Sequence, residues 1–266
     1  MNGAARPALP ALLIDLDGTL VDTVTVWYDA YLVLAEELGV AAPADLWPRV
    51  AGRSMRASLD VFGDAVAETD LDTVVARLVA IATDGLRPAA DRSARREAGW
   101  RWLPGARELL ATLRPAADAT ADAGPDGADG TDGTRPRVAL VTSAWRAFTV
   151  PLLEAALGDP AAVAATFDAI VCGDDVRDGK PAPESHLRAA ALLDADPEAC
   201  LVIEDSPTGV AAAEAAGMVT LVVPHAGPVA PAPGRALRDD LVGLTLTDLA
   251  ALHARLRSNA TDGSTD

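Results

Sequence analysis

Short apolar runs that alternate with helical stretches are the feature that most constrains this chain. Ala11–Leu16, Val138–Thr142, Ala169–Cys172, Cys200–Glu204 and Val219–Val223 read as buried strands. Gly105–Leu113, Arg146–Leu157, Glu184–Leu193, Pro207–Ala216 and Leu246–Leu256 carry helical spacing. Strands separated by helices argue for a parallel sheet covered on both faces. The expected fold class is therefore α/β, with a doubly wound, Rossmann-like parallel sheet as its core. Such sheets bind ligands beyond the C-terminal ends of their strands.

One region breaks the alternation. Between Val24 and Gly99 no strand is evident, and helical patterns recur at Val24–Leu38, around Ser54–Phe62 and at Leu71–Ile81. A right-handed crossover needs only one helix. The extra helices read as an α-helical cap inserted after the first strand. The expected organisation is a core over 1–22 and 100–257, a cap over 23–99 and a disordered tail over 258–266. Residues 115–134 are rich in Ala, Asp, Gly and Thr and lack periodicity, so they read as a disordered insertion in the core.

Composition narrows the function classes. Half the residues are apolar but only 4% are aromatic, so Ala, Val and Leu must fill the core. The chain carries 22 basic and 39 acidic residues, a net charge of −17. That balance argues against general binding to nucleic acid or anionic membranes. It leaves room for a small anion in a cleft where a metal and a few cations reverse the field. No apolar run reaches the ~18–20 residues of a membrane span, and no targeting segment is evident, so the cytoplasm is the expected location. Cys172 and Cys200 are too few for a disulfide framework or a cysteine zinc site. Of the basic residues all but one are arginine; the exception is Lys180.

The first strand ends in Asp15-Leu-Asp17-Gly18-Thr19-Leu-Val-Asp22-Thr23. Alternation puts Asp15 and Asp17 on one side. Two adjacent carboxylates repel unless a cation sits between them, and Gly18 lets the backbone turn just beyond. Glu204-Asp205-Ser206 ends another strand, and strand ends of a parallel sheet share one edge. Together these oxygens suit a magnesium ion. Asp205 or Ser206 could also cap the helix that begins at Pro207. Thr142-Ser143 ends a third strand, where a hydroxyl and free N–H groups could cradle an anion or cap a helix. Lys180 lies in the loop Asp178-Gly179-Lys180-Pro181-Ala182-Pro183-Glu184. Where arginine would serve, this chain uses arginine. Lys180 is therefore expected to do what a planar fork cannot: hold a phosphoryl oxygen and one carboxylate at once.

These four elements, in this order over about residues 11–225, resemble the haloacid dehalogenase superfamily. The resemblance is to its phosphatases with a helical cap, including sugar-phosphate phosphatases and β-phosphoglucomutase. It implies that Asp15 is the nucleophile and forms an aspartyl-phosphate, and that Asp17 is the general acid and then base. It implies that Thr142, Ser143 and Lys180 bind phosphate, and that Asp15, Asp17 through its carbonyl, Glu204 and Asp205 hold Mg²⁺. The family's dehalogenases lack the second aspartate, so Asp17 favours phosphoryl transfer. The mutase carries a histidine where Trp27 stands here and an arginine where Met55 stands, and both departures weigh toward a phosphatase. The expected substrate is a small phosphorylated metabolite, a sugar or polyol phosphate, acted on by a monomer or small homo-oligomer. The alternatives are a phosphosugar mutase and a non-catalytic module on the same fold. Substrate choice would fall to cap residues, with Trp27, Tyr28, Arg53, Arg56 and Trp102 as candidates. Arg92, Arg95 and Arg96 read as a solvated helix face. Trp47 and Met55 read as packing, and His186, His225 and His253 as structural.

Overall fold

A computed structural model describes residues 9–51, 53–67, 70–86, 99–114, 135–225 and 227–262. The expected insertion at 115–134 and the arginines at 92, 95 and 96 lie outside the described residues. The strands are β1 (Ala11–Ile14), β2 (Val21–Asp22), β3 (Arg101–Trp102), β4 (Arg137–Val141), β5 (Ala169–Val171), β6 (Cys200–Glu204), β7 (Val219–Val222) and β8 (Arg235–Leu237). The helices are α1 (Val24–Glu37), α2 (Leu46–Val50), α3 (Met55–Ser58), α4 (Asp64–Ala67), α5 (Leu71–Asp84), α6 (Ala106–Leu113), α7 (Arg146–Leu157), α8 (Pro160–Thr166), α9 (Glu184–Leu192), α10 (Pro207–Ala215) and α11 (Leu246–Asp262).

Six strands form one parallel sheet in the order β5-β4-β1-β6-β7-β8. β1 is central, with Leu13 level with Ala139 on one side and Val202 on the other. The chain leaves β1 for β4 on one flank and later returns to β6 on the other, so the two halves of the sheet part at the end of β1. That switch point is where an open α/β sheet makes its crevice. Alternate residues of the strands feed two hydrophobic layers. Leu12, Ile14, Leu140 and Ile203 enter one, while Ala11, Leu13, Val141 and Val202 enter the other. The sheet is thus covered on both faces, as its near-continuous apolar strands require.

The helices α1–α5 lie between β2 and β3, a two-residue antiparallel pair with Val21 opposite Trp102. Within them α1 packs on α5, and α5 also meets α7 of the sheet layer. An exposed Arg77–Glu37 ion pair bridges α1 and α5. Among the described residues no single helix is long and apolar enough to cross a membrane.

Three differences from the sequence reading have local causes. The pair β2/β3 and the edge strand β8 are too short to show a period. α8 escapes a search for apolar periodicity because it is brief, although Asp159 caps it and Pro160 opens it. The tail expected to begin at 258 starts in helix: α11 continues to Asp262, because no glycine or proline interrupts it before Gly263.

The core tolerates little loss of volume where β4 crosses it. Leu140→Ala, at a fully buried site, is expected to lower the unfolding free energy by about 2–5 kcal/mol. The readout is a lower denaturant midpoint with an unchanged slope.

Candidate active site

The carboxylates gather where β1 and β6 end side by side. Just past β1 the Asp15 N–H donates to Ile203 O at 3.0 Å, which fixes the start of the loop. Asp15, Glu204 and Asp205 are all buried. Each can offer an oxygen lying within 4.8 Å of the others'. Two glycines make this approach possible. A Cβ on Gly18, whose φ is +88°, would meet Asp205 Oδ2 at 2.2 Å, and one on Gly209 would meet Glu204 Oε1 at 1.7 Å.

Lys180 ties the cluster together. Its Nζ donates to Asp15 Oδ1 at 2.7 Å, to Glu204 Oε1 at 2.5 Å and to Val141 O at 3.0 Å. These acceptors come from the ends of three adjacent strands. An ammonium can send three protons in three directions, whereas a guanidinium sends its protons out in one plane. This geometry explains the one lysine in an arginine chain, but it differs from the expected task. The ammonium here holds two carboxylates and a carbonyl, so a phosphoryl oxygen would have to share it with them. Burial pulls the ammonium toward its neutral form, but Asp15 and Glu204 outweigh burial and hold it above the usual lysine range. Burial pushes Asp15 up to about 7 against the opposing pull of Lys180. For Glu204 the outcome is the opposite: burial is again the largest single cause and raises it, but Lys180 and the Ser206 N–H together overcome that and leave it lowered.

Glu204 is otherwise satisfied. Its Oε2 accepts from the Asp205 N–H at 2.9 Å and from the Ser206 N–H and Oγ at 3.0 Å. Ser206 also caps α10 by accepting from the Gly209 N–H, so the capping role read for Asp205 or Ser206 goes to Ser206. Asp15 is not satisfied: its Oδ2 is buried with no hydrogen-bond partner. An orphaned carboxylate oxygen beside two more buried carboxylates fits a hard divalent cation with oxygen ligands.

Asp17 is held separately. Thr23 Oγ1 donates to its Oδ1 at 2.5 Å and Trp27 Nε1 to the same oxygen at 3.2 Å, while Thr142 Oγ1 donates to Oδ2 at 3.3 Å. Burial raises its pKa against these three donors. Thr142, expected on a phosphoryl oxygen, therefore directs its proton to Asp17 and accepts from the Ala144 N–H at 3.0 Å.

Asp15, Asp17, Thr142, Ser143, Lys180 and Asp205 open on one cavity of about 300 Å³. Its far wall comes from α1–α3 and includes Trp27, Tyr31, Trp47, Val50, Arg53 and Met55. Trp27 reaches the site, but its N–H is committed to Asp17. Arg53 lines the cavity and pairs with Asp60 at 3.0 Å. Arg56 does not line it: it faces a neighbouring cavity and pairs with Asp72. Tyr28 and Trp102 are also absent from the wall, and Trp102 stacks edge-on with Trp100. Tyr31 takes the place expected of Tyr28, because it stands four residues after Trp27 on the same helix face. That spacing was a usable signal. Trp47 and Met55, read as packing, line the cavity too. So does His225 beyond β7, for which the sequence holds no signal.

His186 is different. It is buried on α9 with both ring nitrogens unpartnered. Burial is the largest of the causes that lower its pKa to about 3.

One family model, described as haloacid dehalogenase-like hydrolase, matches residues 9–217. A phosphorylated carbohydrates phosphatase of Thermotoga maritima is 27% identical over 79% of this chain and 82% of its own length. A β-phosphoglucomutase of Bacillus subtilis is 26% identical over 83% of this chain and 86% of its own. Among solved structures, CbbY from Rhodobacter sphaeroides in complex with phosphate superimposes with a TM-score of 0.69 at 22% identity. It covers 91% of this chain and 99% of that one. At that identity the likeness concerns the fold.

Two outcomes follow from the burial of these groups. Lys180→Met leaves two buried carboxylates without their counter-charge and is expected to cost about 3–5 kcal/mol of stability. Chemical denaturation should show the loss shrinking as the pH falls and the carboxylates take up protons. His186 binds its proton more weakly in the fold than in the unfolded chain, so its own contribution to stability falls with acid by up to about 1.4 kcal/mol per pH unit between pH 6.5 and 3, while Asp15, raised to about 7, contributes with the opposite sign between pH 7 and about 4. His186→Phe should remove the His186 share, so pH-dependent unfolding should show the variant gaining stability relative to the parent as the pH falls from 6.5 to 3.

Proposed function

The chain belongs to the haloacid dehalogenase-like hydrolase family, and from that premise we propose that it is a Mg²⁺-dependent phosphatase of a small sugar or polyol phosphate. The observation that carries this reading is the pair of carboxylates, Asp15 and Asp17, opening on one cavity with Lys180 against the first. In this reading residues 23–99 act as a cap whose wall meets the leaving group, and the protein works in the cytoplasm.

A phosphate monoester is a dianion and repels a carboxylate nucleophile. Lys180 offsets part of that repulsion by holding positive charge at Asp15. Asp15 forms a bond to phosphorus as the bond to the leaving oxygen breaks, and Asp17 gives its proton to that oxygen. Asp17 then takes a proton from water as the water oxygen bonds to phosphorus and Asp15 is released. Splitting the displacement into two in-line steps is covalent catalysis. In this reading the Ser143 N–H holds a phosphoryl oxygen, and the Thr142 hydroxyl does so by turning its proton from Asp17 to the substrate. Asp15, Asp205 and the Asp17 carbonyl would hold Mg²⁺, with Glu204 alongside. When bound, the ion neutralises charge on the nucleophile and the phosphoryl oxygens.

The likeness to a β-phosphoglucomutase keeps a second reading in view, the phosphosugar mutase. A mutase must seat a bisphosphate. Among the described residues Arg53 is the one arginine that lines the cavity, and it pairs with Asp60. This supports hydrolysis of a monophosphate.

A panel of sugar and polyol monophosphates with Mg²⁺ should yield inorganic phosphate. Formation of an isomeric phosphosugar, dependent on added bisphosphate, would favour the mutase. Chelation should abolish turnover and Mg²⁺ should restore it. Lys180→Arg, which cannot reach three strand ends from one atom, should lower kcat by roughly 10²-fold or more.

A further inference from the structure

The two oxygens of Asp17 are not equivalent. Oδ1 accepts two hydrogen bonds, from the Thr23 hydroxyl at 2.5 Å and the Trp27 indole N–H at 3.2 Å. Oδ2 accepts one long bond, from Thr142 at 3.3 Å. A carboxylate oxygen has two lone pairs, so Oδ1 is filled and Oδ2 retains capacity. An indole N–H only donates, so a proton placed on Oδ1 would confront a fixed donor.

Trp27 has little freedom to leave that contact. It is 5% exposed. Its ring packs against that of Phe148 at a tilt of 45°, with centroids 4.5 Å apart, and Phe148 is fully buried on α7. Thr23 directly precedes α1, so both donors to Oδ1 come from the first turns of the helix that leaves the sheet.

The geometry points to Trp27 as a positioning residue that reserves Oδ1 and leaves Oδ2 as the oxygen through which Asp17 gives and takes its proton. The inference rests on the reading of Asp17 as the acid–base group. In the first step the Oδ2 proton passes to the leaving oxygen as its bond to phosphorus breaks. In the second, a water proton passes to Oδ2 as the water oxygen bonds to phosphorus and the Asp15–phosphorus bond opens.

The contact can be tested without substrate. The chain has 5 tryptophans, so few indole N–H signals crowd a proton–nitrogen correlation spectrum. Trp27→Phe keeps an aromatic ring and should delete one signal, and Asp17→Ala should shift that same signal. If Asp17→Ala leaves it unmoved, the contact does not exist and the proposal falls.

Kinetics tests the role. An alkoxide leaving group needs a proton, whereas p-nitrophenolate hardly does. Trp27→Phe should lower kcat/KM, which reports the step that expels the leaving group, about tenfold more for glucose 6-phosphate than for p-nitrophenyl phosphate. Asp17→Ala should discriminate in the same sense by roughly 10²-fold or more. A parallel loss in kcat/KM on both substrates in Trp27→Phe would overturn the positioning role. If Asp17→Ala itself does not discriminate, the acid–base reading fails instead, and the spectrum still reports on the contact.

Discussion

A single buried ammonium organises this protein's crevice. Lys180 Nζ reaches Asp15, Glu204 and the Val141 carbonyl from a loop that belongs to none of the three strands it joins. Taking an ion out of water costs several kcal/mol, and the cost is met only where geometry and hydrogen bonding are good. Here one cation faces two carboxylates, and Glu204 gains further bonds from backbone N–H groups at the start of α10. The surplus is one orphaned oxygen, Asp15 Oδ2. That oxygen lies where the proposed chemistry happens.

The same logic separates the two catalytic candidates. Asp15 and Asp17 leave one strand two residues apart, yet their surroundings differ. Asp15 faces charge: Lys180, Glu204 and the crevice. Asp17 faces neutral donors from Thr23, Trp27 and Thr142. A nucleophile needs counter-charge, whereas a group that gives and takes a proton needs a defined orientation and an open oxygen. One strand end supplies both because Lys180 reaches Asp15 from its own loop while Thr23 and Trp27 reach Asp17 from the start of α1.

The parts of this architecture that were legible in the sequence share one property. Strands buried on both faces must be continuously apolar, so β1, β4, β6 and β7 stand out. Acidic residues at the ends of such strands stand out for the same reason. The lysine was legible as an anomaly of composition, although its partners were not: no spacing rule reports that Val141 supplies a carbonyl. The cavity's far wall was less readable. Its members are chosen by how separate helices meet, so Arg53 and Arg56, three residues apart, face different cavities. Trp27 was placed on the wall, but its bond to Asp17 crosses from helix to sheet edge and leaves no local trace. Only Tyr31, one turn beyond Trp27, carried a pattern that a helical wheel exposes.

The account turns on Asp15 becoming phosphorylated during turnover. The direct measurement is acid quenching of the enzyme during hydrolysis of a sugar phosphate, followed by mass analysis of its peptides. The account predicts one added phosphoryl group on the peptide containing Asp15, absent from Asp15→Asn together with turnover itself. Steady hydrolysis with no phosphorylated peptide, or undiminished hydrolysis by Asp15→Asn, would contradict it.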